Sequence, residues 1–265
     1  MKIKKIRKKK AASVIVAALV LFLAGNGAAS LTHQCLSNFS PKKEQVENWG
    51  LGFGAEGTQP SGNATPEELK EYDAHYIGDA KKKVLYLTFD CGYENGNTEN
   101  IMAALKKHNA PATFFVVGNF LETSPDLVKK MVKEGYTVGN HTYHHVQLNK
   151  LNETKAREEI LKTNNLIYET TGVYPLYLRP PFGAWKKNLV LCVEMLPVFW
   201  TIDTLDWKVQ NTEKIVRTVQ EQIEDGAIIL MHDEYDTSVE AALQVVDELK
   251  NQGYELVTVD QLILP

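Results

Sequence analysis

From Val84 to the C-terminus, short apolar runs alternate with stretches of helical spacing, and this alternation constrains the fold more than any other feature of the chain. The runs cover residues 84–89, 112–117, 136–138, 176–178, 198–202, 227–231 and 256–259. Being apolar without a period of two, they read as parallel strands buried on both faces. The stretches between them carry helix starts and stops. Asn97-Thr98-Glu99 leads a helix to about His108, Ser124-Pro125-Asp126 caps another up to Glu134, and Asn152-Glu153-Thr154 opens a long one ending near Gly172. Two more helices are expected over 212–223 and 239–251. Strands and helices in such regular succession predict an α/β fold, and a count of seven strands favours a distorted (β/α) barrel.

Chemistry-bearing residues gather where such folds build their sites, at the C-terminal ends of the strands. Asp90 ends the first, His141 and His145 follow the third, Arg179 the fourth, Asp203 the fifth and His232 the sixth. Any one of them alone reads as a helix cap or a satisfied structural side chain. Five strand ends so equipped mark a site. The spacing of His141 and His145 places two imidazoles on one face of a helical turn, within reach of a single ion. His144 is the rival to either partner.

The first ten residues carry seven cations, and an uncharged apolar stretch over 11–24 follows. This is the order of an export signal, with small residues at Gly27-Ala28-Ala29 for cleavage and an uncleaved membrane anchor as the alternative. Lipidation is excluded, because Thr32-His33-Gln34 precedes Cys35 where a small-residue box is required. The expected organisation is a signal or anchor at 1–29, a linker and strap at 30–80 and one catalytic domain at 81–265. The chain's 29 basic residues, less those seven, face 33 acidic ones. So acidic an exported part excludes nucleic acid as a partner and leaves the N-terminal segment as the only membrane contact. Cys35, Cys91 and Cys192 are too few for a disulfide scaffold, although a Cys35–Cys192 pair is conceivable.

Five ordered motifs carry a family resemblance over about residues 80–262. Thr88-Phe-Asp-Cys-Gly-Tyr-Glu-Asn-Gly96, Gly139-Asn-His-Thr-Tyr-His-His145, Arg179-Pro-Pro-Phe-Gly183, Asp203-Thr-Leu-Asp-Trp207 and Ile229-Leu-Met-His232 resemble the motifs of the polysaccharide deacetylases. These are the NodB-homology proteins of carbohydrate esterase family four. The resemblance implies a NodB-type barrel and a metal-dependent hydrolase that removes N-acetyl groups from a glycan. His141 and His145 would hold the metal, zinc by expectation, with cobalt or manganese as alternatives. Asp90 would be the general base, kept ionised by Arg179; His232 would be the general acid, oriented by Asp203. The backbone N–H of Phe182 would help to hold the oxyanion, and Trp207 and Leu230 would line a slot for the acetyl methyl. Plain core packing is the other reading of those two side chains.

One position departs from the family. Most members have a second, metal-binding aspartate after the base, and here Cys91 stands there. A thiolate could ligate zinc, the histidines and waters could hold the ion alone, or the domain could be an inactive glycan-binding relative. The first motif, with Asn48-Trp-Gly50 and Tyr76-Ile-Gly-Asp79, resembles the branch acting on N-acetylmuramic acid in peptidoglycan, whereas Asp203 resembles the N-acetylglucosamine deacetylases. The expectation is a monomeric, wall-associated peptidoglycan deacetylase preferring N-acetylmuramic acid. A wall-binding relative without turnover and a deacetylase of chitin- or xylan-type glycans are the alternatives.

Overall fold

A computed structural model of the chain describes Glu47–Asn48, Leu69, Leu189 and residues 73–185 and 193–263. In chain order its elements are β1 (Glu47–Asn48), β2 (Val84–Cys91), α1 (Asn97–Lys107), β3 (Thr113–Val116), α2 (Gly118–Thr123), α3 (Pro125–Lys133) and β4 (Thr137–Asn140). Then follow α4 (Glu153–Thr171), β5 (Tyr177–Leu178), β6 (Ala184–Trp185), β7 (Leu196–Pro197), β8 (Ile202–Asp203), α5 (Asp206–Val209), α6 (Thr212–Gln222), β9 (Ile228–His232), α7 (Asp236–Asn251) and β10 (Glu255–Val257). The export signal and the Cys35–Cys192 pair lie outside the described residues. Among these, no helix is long and apolar enough to cross a membrane.

Eight strands form one parallel sheet in the order β7-β5-β4-β3-β2-β9-β8, with β10 also on β2. This is the expected α/β barrel architecture, left incomplete, since β7 and β8 do not pair among the described residues. Residues 75–77, the end of the expected strap, lie at this break: His75 bridges Val198 and Ile77 bridges Ala227. The run 198–202, read as one strand, is broken for the same reason. Phe199 donates to the His75 carbonyl, and the Val198 and Phe199 carbonyls accept from the Arg179 guanidinium. Their ladder groups are thus taken by partners outside the sheet, and β7 and β8 remain two short strands.

The central strand β2 is buried along its whole length, and its pleat sorts two cores. Leu85, Leu87, Phe89 and Cys91 pack outward among side chains of the helical layer, such as Ile101, Leu105 and Val245. Val84 and Tyr86 belong to the inner cluster with Phe115, Trp200, Ile228 and Leu230. The helices end as their caps dictate. Asn152 accepts from the Lys155 N–H at the start of α4, and left-handed Gly172 closes it at φ 76°.

Candidate active site

Asp90, near the end of β2 and on its inner face, meets Arg179, which follows β5. The guanidinium donates to Asp90 Oδ1 at 2.9 Å and to Thr88 Oγ1 at 2.8 Å, and lies 4.3 Å from the centre of the Phe115 ring. Arg179 is fully buried and Asp90 nearly so. Burial raises the Asp90 pKa, but His141, Arg179 and His232 outweigh it and hold the carboxyl below its usual range. Burial pushes His141 down to about 4, so at neutral pH it is uncharged and the permanent cation beside Asp90 is Arg179.

The two metal-candidate histidines come together, with ring centres 4.9 Å apart, but not on a helical turn. Residues 141–147 are an irregular loop after β4, with Thr142 at φ 64° and His145 at φ 53°. Two left-handed residues, each costing on the order of 1–3 kcal/mol, fold the loop so that His145 returns beside His141. The structure around them bears that cost: Asn140 Oδ1 accepts from the Thr142 N–H, and Glu159 of α4 accepts from the N–H groups of Tyr143 and His144. The rival His144 is tied by its ring to Glu159 at 2.7 Å.

His141 Nδ1 lies 2.7 Å from the Arg179 carbonyl, which can only accept. The ring proton therefore sits on Nδ1, and the Nε2 lone pair faces Asp90 Oδ2 at 3.3 Å. The bare Nε2 of His141 and a second imidazole whose pKa burial also lowers are a pair of neutral nitrogen donors of the kind a divalent cation takes, with the Asp90 carboxylate beside them.

His232 ends β9 and faces the same cleft, a cavity of about 630 Å³ that Asp90, His141 and His145 also line. Its Nδ1–H donates to Asp206 Oδ1 at 2.8 Å and its backbone N–H to Asp206 Oδ2 at 2.8 Å. Burial lowers the imidazole pKa, but Asp206, Asp90 and Asp203 together raise it to about 9. This corrects the expectation that Asp203 orients His232. Asp203 accepts from the Leu205 N–H at 3.0 Å, stabilising the turn into α5, and acts on His232 only through its field. Left-handed Leu205 starts α5 at Asp206, so the second aspartate of the motif is the one delivered to the histidine.

The structure also turns Cys91 away from the metal candidates. Its side chain is on the outer face of β2, fully buried in the helix-covered core, and it does not line the cleft. Burial and then nearby Asp233 push its thiol pKa well above the usual value, so no thiolate is on hand. Among the described residues, no group of three His, Cys, Asp or Glu side chains is arranged to hold a metal. Cys91→Ser is expected to leave zinc affinity within about threefold of wild type in a competition titration, whereas a lost ligand costs an order of magnitude or more. A tenfold loss would return the thiolate to the ligand set.

Phe182 is left-handed at φ 59°, its ring packs 4.8 Å from that of His145, and its backbone N–H has no hydrogen-bond partner among the described residues. Neither slot residue lines the cleft. Leu230 is buried in the inner core with Phe115 and Trp200, and Trp207 on α5 is 47% exposed. Leu230 thus packs as core, and the exposure of Trp207 sets aside core packing for that side chain. Sequence reasoning missed Asp206 and Glu159; the first stands within the aspartate-tryptophan motif 203–207, while the second carries no local signal.

The profile of the polysaccharide deacetylase family matches residues 77–199. The peptidoglycan-N-acetylmuramic acid deacetylase PdaA of Bacillus subtilis is 36% identical over 82% of this chain and 85% of its own length. Its solved structure, a family 4 carbohydrate esterase, superposes with a TM-score of 0.76 at 34% identity, covering 83% of this chain and 97% of that one. The structure of peptidoglycan deacetylase PdaC from B. subtilis gives 0.66 at 40% identity, covering 69% and 91%. BA3943, described as a family pseudoenzyme from Bacillus anthracis, gives 0.66 at 32%, covering 71% and 68%. With its motifs gathered at one cleft and relatives matched over most of their length, this chain belongs to the polysaccharide deacetylase family, the family 4 carbohydrate esterases.

Proposed function

We propose that the protein is an exported hydrolase that removes N-acetyl groups from peptidoglycan amino sugars, with N-acetylmuramic acid preferred. The observation that carries this reading is the pairing, across one cleft, of a carboxylate held ionised by Arg179 with an imidazole held cationic by Asp206. Groups whose surroundings push their pKa values apart can act as base and acid at the same pH. The naming of PdaA and PdaC as peptidoglycan deacetylases supports the polymer.

In this reading His141 and His145 would hold a divalent metal, zinc by preference, and such an ion would supply Lewis acidity toward the acetyl carbonyl and a water. Asp90 Oδ2 takes the proton of the attacking water, while Arg179 holds Oδ1 and so aims the carboxylate. The Phe182 N–H, without a hydrogen-bond partner among the described residues, donates to the developing oxyanion in this reading. His232 keeps Nδ1–H on Asp206, so its Nε2–H faces the cleft and protonates the departing amine. Without that proton the amine is a poor leaving group.

A second reading has one observation in its favour: among the described residues, no third side-chain ligand joins the two histidines. It makes the protein a wall-binding relative without turnover. Acetate release from purified peptidoglycan, measured with zinc supplied and after chelation, separates the two. The deacetylase reading expects release that chelation abolishes and zinc restores. Glycan binding without acetate at any metal tested would replace it with the second.

A further inference from the structure

The wall of the cleft formed by α2 and α4 carries a feature that the deacetylation steps do not use. Among the permanently charged side chains lining the cleft, Asp90, Glu122 and Glu234 are acidic and Lys162 alone is basic. Lys162 lies on α4 three and four residues after Glu159 and Glu158, the spacing at which helix ion pairs form. It makes neither pair. Glu159 is occupied by the His144 ring and by two loop N–H groups. The Lys162 ammonium lies instead over the Tyr143 ring, 3.4 Å from its centre, with no carboxylate in ion-pair reach among the described residues.

Its support is rigid. The Tyr143 ring packs on the Gly118 backbone so closely that a Cβ there would lie 2.3 Å from it, and the tyrosine hydroxyl donates to Glu122. Tyr143 stands between His141 and His145 in the chain, so the cation is mounted on the same loop that presents the two imidazoles. A cation fixed at the rim of an active cleft, in a chain of acidic balance, attracts an anionic substituent to that spot.

The geometry points to Lys162 as a specificity-determining residue that pairs with a carboxylate borne by the glycan beside the acetamide under attack. This rests on the deacetylase reading and deepens it. On peptidoglycan that carboxylate is the 3-O-lactyl group of N-acetylmuramic acid when the stem peptide is absent, because the peptide caps it as an amide; N-acetylglucosamine has none. Lys162 thereby gives the preference for muramic acid a physical origin.

The test compares the full zinc-supplemented chain, Lys162→Gln and Lys162→Arg on three glycans: peptide-free muramyl oligosaccharide, peptide-bearing muramyl oligosaccharide and chito-oligosaccharide. Acetate release and calorimetric binding are both read. Lys162→Gln is expected to raise KM for the peptide-free muramyl glycan about fivefold with kcat held, as befits an exposed ion pair, and to leave chito-oligosaccharide unaffected. Lys162→Arg retains wild-type behaviour, and high salt erases the difference. An equal change on muramyl and chito substrates, or none, overturns the assignment. A loss confined to the peptide-bearing glycan also overturns it, in favour of stem-peptide carboxylates. Lysine-dependent binding without acetate from any glycan sinks the deacetylase reading and leaves the subsite standing; acetate release indifferent to Lys162 does the reverse.

Discussion

Asp90→Asn is expected to lower acetate release from peptidoglycan by about three orders of magnitude, the scale on which a positioned general base acts. The amide preserves the shape of the side chain and removes its basicity. It also strands Arg179, which is fully buried and has no other carboxylate partner at hydrogen-bonding distance among the described residues. Breaking one side of a buried ion pair costs about 3–5 kcal/mol, so the variant should also unfold at distinctly lower denaturant concentration. Activity is therefore compared per folded molecule, with denaturant unfolding measured alongside. A variant that retains more than about a tenth of wild-type kcat would remove Asp90 from the role of base.

The pH dependence of stability follows from the same pair. The Asp90 carboxyl is held below its unfolded value, so its contribution is complete above that value and is lost as pH falls through the folded one. Activity is expected to fail on the acid side as well, because His141 takes up a proton near pH 4 and surrenders its lone pair.

Asp206→Asn is the second large effect, expected at about a hundredfold in kcat at neutral pH, with a change in the pH profile that a merely structural role would not produce. In the wild type His232 stays protonated up to about pH 9, which sets the alkaline limb of activity. Asp206 supplies the principal upward pull on that pKa through its hydrogen bond and charge. Without the charge, burial prevails, and the alkaline limb should move well below 9. The same carboxyl is held below its usual range by His232, against the opposing pull of burial. Because His232 is raised on folding, the stability it contributes is complete below its unfolded value and is lost as pH rises through about 9. The matched variant Asp203→Asn tests the assignment: it should leave the alkaline limb close to the wild-type position. A profile moved more by Asp203→Asn than by Asp206→Asn would restore the expectation drawn from sequence.

Much of the site is legible in the sequence. The alternation of strands and helices places Asp90, His141, His145, Arg179 and His232 at strand ends, and the cleft brings them together. The face taken by Cys91 is legible too, since β2 alternates and the residue after an inward Asp90 points outward. Resemblance to relatives with aspartate at that position points the other way. The choice between Asp203 and Asp206 is not legible. It depends on where α5 begins, and a left-handed Leu205 decides that. The His141–His145 spacing suggests the right contact through the wrong backbone, because loop conformation answers to Asn140 and Glu159, far apart in sequence.

The sequence by itself determined the alternation of strands and helices, the strand ends at which Asp90, His141, Arg179 and His232 stand, and the family. Those properties follow from periodicity and from side chains read one element at a time. Only the tertiary structure decided which carboxylate meets His232, which imidazole nitrogen is left bare at His141 and where Lys162 directs its charge. Each of these is a contact between groups on different elements, fixed by the turns that join them and by what else competes for the same atoms. Local sequence carries no record of that competition.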